Sequence, residues 1–480
     1  MITDAASAAL PFASSLVFTV ALILGFTYIT TLISFYSNVR KGRSVSAKDA
    51  TRPPLMPYSI PGLGSAITFS NQRVGHFWTW LQSQSKQYQQ QAFAILLAGT
   101  RTNFIYSAGG IAALFKSKQL SRSGLDQQLG TNALGMSKED ARKAFPAELD
   151  EKEKLSTARI HTEQLLSASA VNVLTQKFME CLLEELGQDS ALDDGIEVCL
   201  YEWLWQRVFR ASTKALYGSK LLEMYPDFDG EYRVWEDNML GLLFGVPRMI
   251  IGEAYIARES CIRKMAAWLE EGFRHTSDND SEWDPWFGAR VVRKRHEYYK
   301  QQGLSIGGQA GCDLIFLAGT ISNATPATGW LLMHILSPTS SDLLPRIMEE
   351  LESARVPDGS VNIPTLTRLP LLNSAFHEVL RLYVDLLVVR QVDASTGLGA
   401  HVVHQGEQVM APTWMTHRNS DLFERPNEFD PDRFLCGDPD TGKVTYSTTG
   451  MNGKYFPFGG GHYMCKLYVA ECRHSIVLTG

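Results

Sequence analysis

Phe458-Gly-Gly-Gly461-His-Tyr-Met-Cys465 brings a cysteine to the end of a glycine-rich loop led by an aromatic residue. A cysteine that ligates haem iron has to project from backbone lying flat against a porphyrin. Only residues without a Cβ let a chain approach that closely and take positive φ. In that reading Phe458 is an apolar lid near the sulfur, and backbone N–H groups around Cys465 hold it as thiolate. A thiolate pushes electron density into the iron and favours O–O cleavage. Two other readings fit the same residues. Gly-Gly-Gly can be an ordinary turn with Cys465 a buried structural thiol, the usual fate of a lone cysteine. Alternatively, His462-x-x-Cys465 and Cys472-x-His474 have the look of a zinc quartet.

The totals allow a large core. The chain has 480 residues, 45% hydrophobic and 20% charged, with a net charge of −6. That charge gives no reason to expect nucleic-acid binding. The seven cysteines are odd in number and scattered, which argues against a disulfide framework and for a reducing compartment. Length alone permits more than one domain, but the sequence shows no internal repeat and no long low-complexity segment.

The N-terminus departs from this ordinary picture. From Ala5 to Asn38 no residue is charged, and Leu10 to Phe35 is dominated by apolar and aromatic types. As a helix that run is about 39 Å long, enough to cross a bilayer core with tilt. Pro11 suits a first turn. A cleaved signal peptide is the other reading, but its apolar region is shorter and follows a basic start. Here Asp4 precedes the run, while Arg40, Lys41, Arg43, Lys48 and Arg52 follow it. The positive-inside rule then puts everything downstream in the cytosol. The predicted organisation is a membrane anchor at 1–38, a basic and Pro-rich linker at 39–65, and a body at 66–480.

Within the linker, Arg52-Pro-Pro-Leu-Met-Pro57-Tyr-Ser-Ile-Pro61-Gly62 is too rich in proline for helix and reads as a stiff spacer. Ala92 to Ser107 reads as two short strands around Gly99-Thr-Arg-Thr102. Lys152 to His275 is mostly helical in pattern, with polar breaks near 188–195 and 218–225. A second helical stretch runs from about Ile306 to Leu336, residues 387–412 alternate like strands, and 415–457 is turn-rich. The predicted class is mostly α with minor β. Met239 to Ile251 is apolar nearly all round but carries Gly245 and Pro247. It is either a core helix or an apolar inter-helix loop that dips into a bilayer.

Phe376-His-Glu378-Val-Leu-Arg381 puts a carboxylate and a guanidinium three residues apart on one helical face. Such a pair alone is usually surface decoration worth a few tenths of a kcal/mol. Downstream, Phe429-Asp-Pro431-Asp-Arg433-Phe434 offers a second arginine in a proline-fixed turn. A buried Glu378 bridging Arg381 and Arg433 would form charge-assisted, bidentate hydrogen bonds and lock the segment leading to the cysteine loop.

Glu-x-x-Arg, then Pro-x-Arg-Phe, then Phe-x-x-Gly-x-x-x-Cys, in that order, is a specific combination. The chain resembles a cytochrome P-450, a haem-thiolate monooxygenase, over nearly its whole length. The resemblance implies the cytochrome P-450 fold behind one transmembrane helix, with 66–480 as the catalytic domain. It implies haem b (iron protoporphyrin IX), with Cys465 as the proximal ligand and Phe458, Gly461 and His462 as loop positions. Glu378, Arg381 and Arg433 become the structural triad, and Arg390, between valines in Val388-Val-Arg390-Gln-Val, a haem-propionate partner. The helix Leu317-Ala-Gly-Thr-Ile-Ser322-Asn323-Ala-Thr325-Pro326-Ala-Thr328-Gly-Trp330 is similar to the branch holding the sterol 7α- and 12α-hydroxylases and prostacyclin synthase. There the usual alcohol position is filled by asparagine, here Asn323, and the acid position falls on Ser322; Thr325 completes the distal set. Pro326 has no N–H, so the Ser322 carbonyl loses its partner and the helix opens. A plain kink with Asn323 bonded to the freed carbonyl is the alternative.

The expected function is insertion of one oxygen atom from O2 into a lipophilic, steroid- or terpenoid-like substrate. An NADPH-dependent reductase supplies electrons, at the endoplasmic reticulum membrane. An amide at the alcohol position is a poor general acid, so a haem-thiolate isomerase or dehydratase acting on a peroxide without a reductase is the second reading. The family continues Cys-x-Gly-Arg into a longer tail, whereas here Lys466, Leu467 and Tyr468 follow and the sequence stops at Gly480. A truncated, non-catalytic haem-binding protein is the third reading.

Overall fold

The computed structural model describes residues 2–44, 50–66, 69, 76–146, 159–187, 195, 197–275, 281–338, 342–357, 361–437 and 442–465. Leu467, Cys472 and His474, and with them the tail and zinc-quartet expectations, lie outside the described residues. Helices predominate, strands are few, and the described chain forms two units.

The first unit draws on 1–122, 384–428 and 448–464. Helix α1 (Ile2–Ser44) runs past residue 38 without a break. Its stretch Val17–Arg40 is long and apolar enough to cross a membrane. Val17, Phe18, Phe26 and Ile33 on it are exposed, whereas Phe35 and Val39 near its end are buried. Those two join a cluster with Trp78, Phe93, Phe104 and Met415. Full burial of each such side chain is worth roughly 1.5–3 kcal/mol, which fixes the end of the apolar helix to the unit.

A five-stranded sheet carries this unit. In chain order its strands are β1 (Ala92–Leu97), β2 (Thr100–Ile105), β3 (Leu120–Ser121), β4 (Leu387–Val392) and β5 (Gln408–Pro412). Their spatial order is β1-β2-β5-β4-β3. The two hairpin strands sit where Gly99 at φ +87° turns the chain between them. β2 and β5 run parallel, β5 and β4 antiparallel, and Arg390 stands opposite Val409. The Pro-rich segment is not a free spacer. Ala94 N–H donates to the Pro54 carbonyl at 2.9 Å and Met56 N–H to the Ala94 carbonyl at 2.7 Å, so it lies along β1. Proline stops it folding as helix but leaves its carbonyls available to a sheet edge. Arg52 and the side chain of Asn103, on β2, also hold the buried carboxylate of Glu407.

The second unit draws on 123–383, 429–447 and 465–480. Its main helices are α2 (Ala168–Gly187), α3 (Leu200–Tyr217), α4 (Phe228–Asp237), α5 (Gly252–His275), α6 (Arg290–Gln301), α7 (Ile306–Ile321), α8 (Ala324–Ile335) and α9 (Pro370–Tyr383). α7 begins where Ser305 accepts the Gly308 N–H at 3.0 Å, a standard N-cap. Its middle is clamped by a fully buried group: Asp313 lies 3.2 Å from Arg295 and 2.8 Å from His296, both on α6. α9 starts with Pro370, and the Glu350 carboxylate accepts the Leu371 and Leu372 N–H groups at 2.7 and 2.9 Å. An anion there satisfies orphan donors and the helix dipole together.

Met239 to Ile251 divides between the two expected forms. Met239–Leu243 is a short helix with Leu242 and Leu243 buried. Gly245 turns the chain at φ +71°, and Leu240, Phe244, Met249 and Ile250 stand exposed. The outer half is therefore an apolar loop.

Candidate active site

In the first unit, the chain before Cys465 packs on the end of the Ala108–Lys116 helix. A Cβ built at Gly460 would stand 2.5 Å from the Phe115 ring, and one at Gly461 (φ +65°) 2.1 Å from the Phe115 carbonyl oxygen. Real atoms do not approach so closely, so both positions demand glycine. The glycines thus let the loop meet a helix end, a reason the sequence alone did not disclose. Phe456 is buried edge-on to Phe115, ring centroids 5.6 Å apart, and its N–H donates to His417 Nε2 at 3.0 Å. His417 is fully buried. A short turn, Gly461–Tyr463, follows.

Arg390 is buried on β4, its guanidinium 4.6 Å from the centre of the Tyr463 ring. It donates to the Val389 carbonyl at 2.8 Å. Phe458 is half-buried and His462 exposed; Cys465, immediately beyond this loop, is half-buried. The six described cysteines form no disulfide.

In the second unit, Glu378 and Arg381 lie on α9 and Arg433 in the turn after Pro431. Glu378 is entirely buried and Arg381 nearly so. Arg381 donates to both carboxylate oxygens, Nε and Nη2 each at 2.7 Å. Arg433 Nε reaches both oxygens at 2.9 Å, and Asp430 N–H adds a bond at 3.1 Å. The structure thus brings the three charged residues together. Charge-assisted bonds in this geometry are roughly twice as strong as neutral ones. Beside them, Ser374 accepts the Phe434 N–H at 3.1 Å. His377 stacks on Tyr446, and burial pushes its pKa down to about 4, so it is neutral at pH 7. Neither partner had a sequence signal.

α7 ends at Ile321 and α8 begins at Ala324, so the helix opens where Pro326 predicts it. Ser322 N–H still reaches the Ala318 carbonyl at 3.0 Å, and Ala327 N–H the Asn323 carbonyl at 3.3 Å. Asn323 is exposed and its side chain makes no capping bond. The alternative in which it bonds the freed carbonyl is not what forms. Thr325 and Thr328 are fully buried, and their hydroxyls have no hydrogen-bond partner among the described residues. Such orphan hydroxyls are rare, and each costs about 1–3 kcal/mol. Ser322 donates to Glu236 Oε1 on α4, 86 residues earlier, with Tyr232 hydroxyl 3.4 Å from Ser322 Oγ.

These residues fit a haem whose iron takes one protein ligand. Among the described residues no three His, Cys, Asp or Glu side chains gather to hold a metal ion. Porphyrin iron brings most of its own ligands and would need only Cys465 from the protein. In the first unit the buried guanidinium of Arg390 beside the glycine loop suits an acidic group of such a cofactor; in the second, the orphan hydroxyls of Thr325 and Thr328 suit a polar ligand at the broken helix.

Comparison with known proteins agrees. Residues 53–466 match the family described as Cytochrome P450. The chain is 27% identical to the cytochrome P450 monooxygenase calL of Penicillium decumbens over 64% of its own length and 59% of that protein's. It is 24% identical to the cytochrome P450 monooxygenase fsoE of Humicola fuscoatra, over 94% of this chain and 86% of that one. The fold matches the retinoic acid bound cyanobacterial CYP120A1 with a TM-score of 0.65 and 19% identity, covering 90% of this chain and 92% of the other. The chain therefore belongs to the cytochrome P450 family and is an enzyme of its monooxygenase class.

Proposed function

We propose that this enzyme inserts one oxygen atom from O2 into a lipophilic, steroid- or terpenoid-like molecule, using haem b and electrons from an NADPH-dependent reductase. One observation supports it most: the broken helix at 322–323 presents buried hydroxyls, Thr325 and Thr328, with no protein partner among the described residues. Bound haem supplies the oxygen-activating iron. Cys465 holds that iron as thiolate, with Phe458, Gly461 and His462 shaping its loop, and Arg390 neutralises a propionate. Glu378, Arg381 and Arg433 fix the preceding segment. Ser322, Asn323 and Thr325 orient substrate and solvent at the break. The motif Asn323-x-x-Pro-Ala-Thr-x-Trp330 supports the sterol-like branch of substrate.

The apolar length of α1 and the exposed Leu240, Phe244, Met249 and Ile250 support a protein held at a membrane. The basic residues after the apolar run favour a cytosolic catalytic body on the endoplasmic reticulum. The exposed amide of Asn323 also favours a second reading, isomerisation of a peroxide. Purified enzyme with substrate should consume NADPH and O2 and form product only when the reductase is added. Product formation from a hydroperoxide alone, at equal rate with and without reductase, would establish the isomerase instead.

A further inference from the structure

We propose that Glu236 is the distal acid of this enzyme, feeding protons through Ser322 Oγ into the helix break. The inference rests on the reading of 317–330 as the distal wall of the haem site. Monooxygenation is written RH + O2 + 2H+ + 2e− → ROH + H2O, with the reductase supplying the electrons. Protons must therefore reach the helix break, where the sequence carries serine and asparagine but no acid.

The structure supplies a carboxyl from another helix. Glu236, in the last turn of α4, accepts at Oε1 from Ser322 Oγ and, at 3.3 Å, from the Tyr232 hydroxyl. Trp205 Nε1 donates to Oε2 at 3.2 Å. Tyr232 is fully buried, and that burial pushes its pKa well above the ordinary range, so its hydroxyl stays protonated and holds the carboxylate in place. Three neutral donors from three segments thus aim one carboxyl at the break. Glu236 itself is only half-buried, so it can draw a proton from solvent. The proton passes from its Oε1 to Ser322 Oγ as the hydroxyl turns its own proton into the break, where Pro326 leaves the helix open. Ser322 is restored when it again donates to the emptied carboxylate.

The neighbouring charged and titratable groups are Tyr201 and Glu202 on α3, Tyr232, Arg233 and Asp237 on α4, and Cys261 on α5. A Glu236→Gln variant keeps all of these and keeps hydrogen bonding at 236, so a difference titration isolates the carboxyl. Two readouts on the haem-loaded full chain decide the matter. Indole fluorescence of the resting protein should show a pH step in wild type that is missing in Glu236→Gln, because Trp205 touches the carboxyl. Product formed per NADPH should fall on the order of 100-fold in Glu236→Gln, with the difference released as peroxide and the acid limb of the pH profile lost. The double variant Ser322→Asp/Glu236→Gln, which returns a carboxyl to the helix, should recover most of that loss. A structural clamp predicts no such recovery. Equal coupling in Glu236→Gln and wild type, or no difference between their titrations, overturns the assignment of Glu236. If wild type lacks the red-shifted Soret band of its reduced, carbon-monoxide-bound form, the haem reading itself has failed.

Discussion

Glu378, on α9, and Ser322, at the break between α7 and α8, belong to the same unit, yet their surroundings are opposites. Around Glu378 both carboxylate oxygens are engaged, by two arginines and a backbone N–H, in a place closed to solvent. Around Ser322 the helix is interrupted, two hydroxyls nearby lack partners among the described residues, and a half-buried carboxyl reaches in from α4. A network so fully satisfied holds one arrangement, and breaking it strands charge. A site with free donors and an open backbone is poorly suited to stability and well suited to binding something. The difference separates a part of the protein that holds geometry from a part left open, where the proposed chemistry would take place.

The largest expected effect tests the first half of that contrast. Glu378→Ala leaves the guanidinium groups of Arg381 and Arg433 without their carboxylate and should destabilise the chain by roughly 3–5 kcal/mol. Urea unfolding should show it, together with poor recovery of haem-loaded protein. A loss under about 1 kcal/mol would mean the network is ornamental.

His377, one residue away, gives a pH form of the same test. Its folded-state pKa is about 4, below its ordinary 6.5, because burial disfavours the cation. The unfolded chain therefore binds the proton more readily between those values. Stability from this group is fully present above about pH 6.5 and is lost as pH falls towards 4. The loss is on the order of 3 kcal/mol. Comparing unfolding of wild type and His377→Asn across that window should show a steeper acid decline in wild type.

Gly461→Ala extends the comparison to the cysteine loop. The added Cβ would collide with the Phe115 carbonyl at a positive φ, and a loss of about 2 kcal/mol should appear in the unfolding midpoint. Pro326→Ala works in the other direction. It restores an N–H for the Ser322 carbonyl and should raise stability by about 1 kcal/mol while lowering product yield per NADPH. If it instead destabilises the protein and leaves yield intact, the break is a packing feature.

Legibility in the sequence follows the same divide. Glu378 and Arg381 sit one helical turn apart and Arg433 lies in a proline-fixed turn, so local spacing exposed the triad. Proline chemistry likewise exposed the break at 322–323. The mostly helical fold and the hairpin around Gly99 were readable from periodicity and turn residues. What stayed hidden depends on tertiary packing. Nothing in the neighbourhood of Glu236 announces a bond to Ser322, and nothing near Phe115 announces why Gly460 and Gly461 must lack side chains. The Pro-rich segment read as a spacer because proline forbids helix, but its carbonyls serve a sheet edge equally well.

The proposed oxygen chemistry depends on Cys465 binding haem iron as thiolate, and one spectrum tests that most directly. The full-length protein is loaded with haem, reduced and exposed to carbon monoxide, as wild type and as Cys465→Ser. Wild type should show the strongly red-shifted Soret band of a thiolate ligand, and Cys465→Ser should lose it while remaining folded. A red-shifted band that survives in Cys465→Ser, or haem-loaded wild type without one, would contradict the assignment.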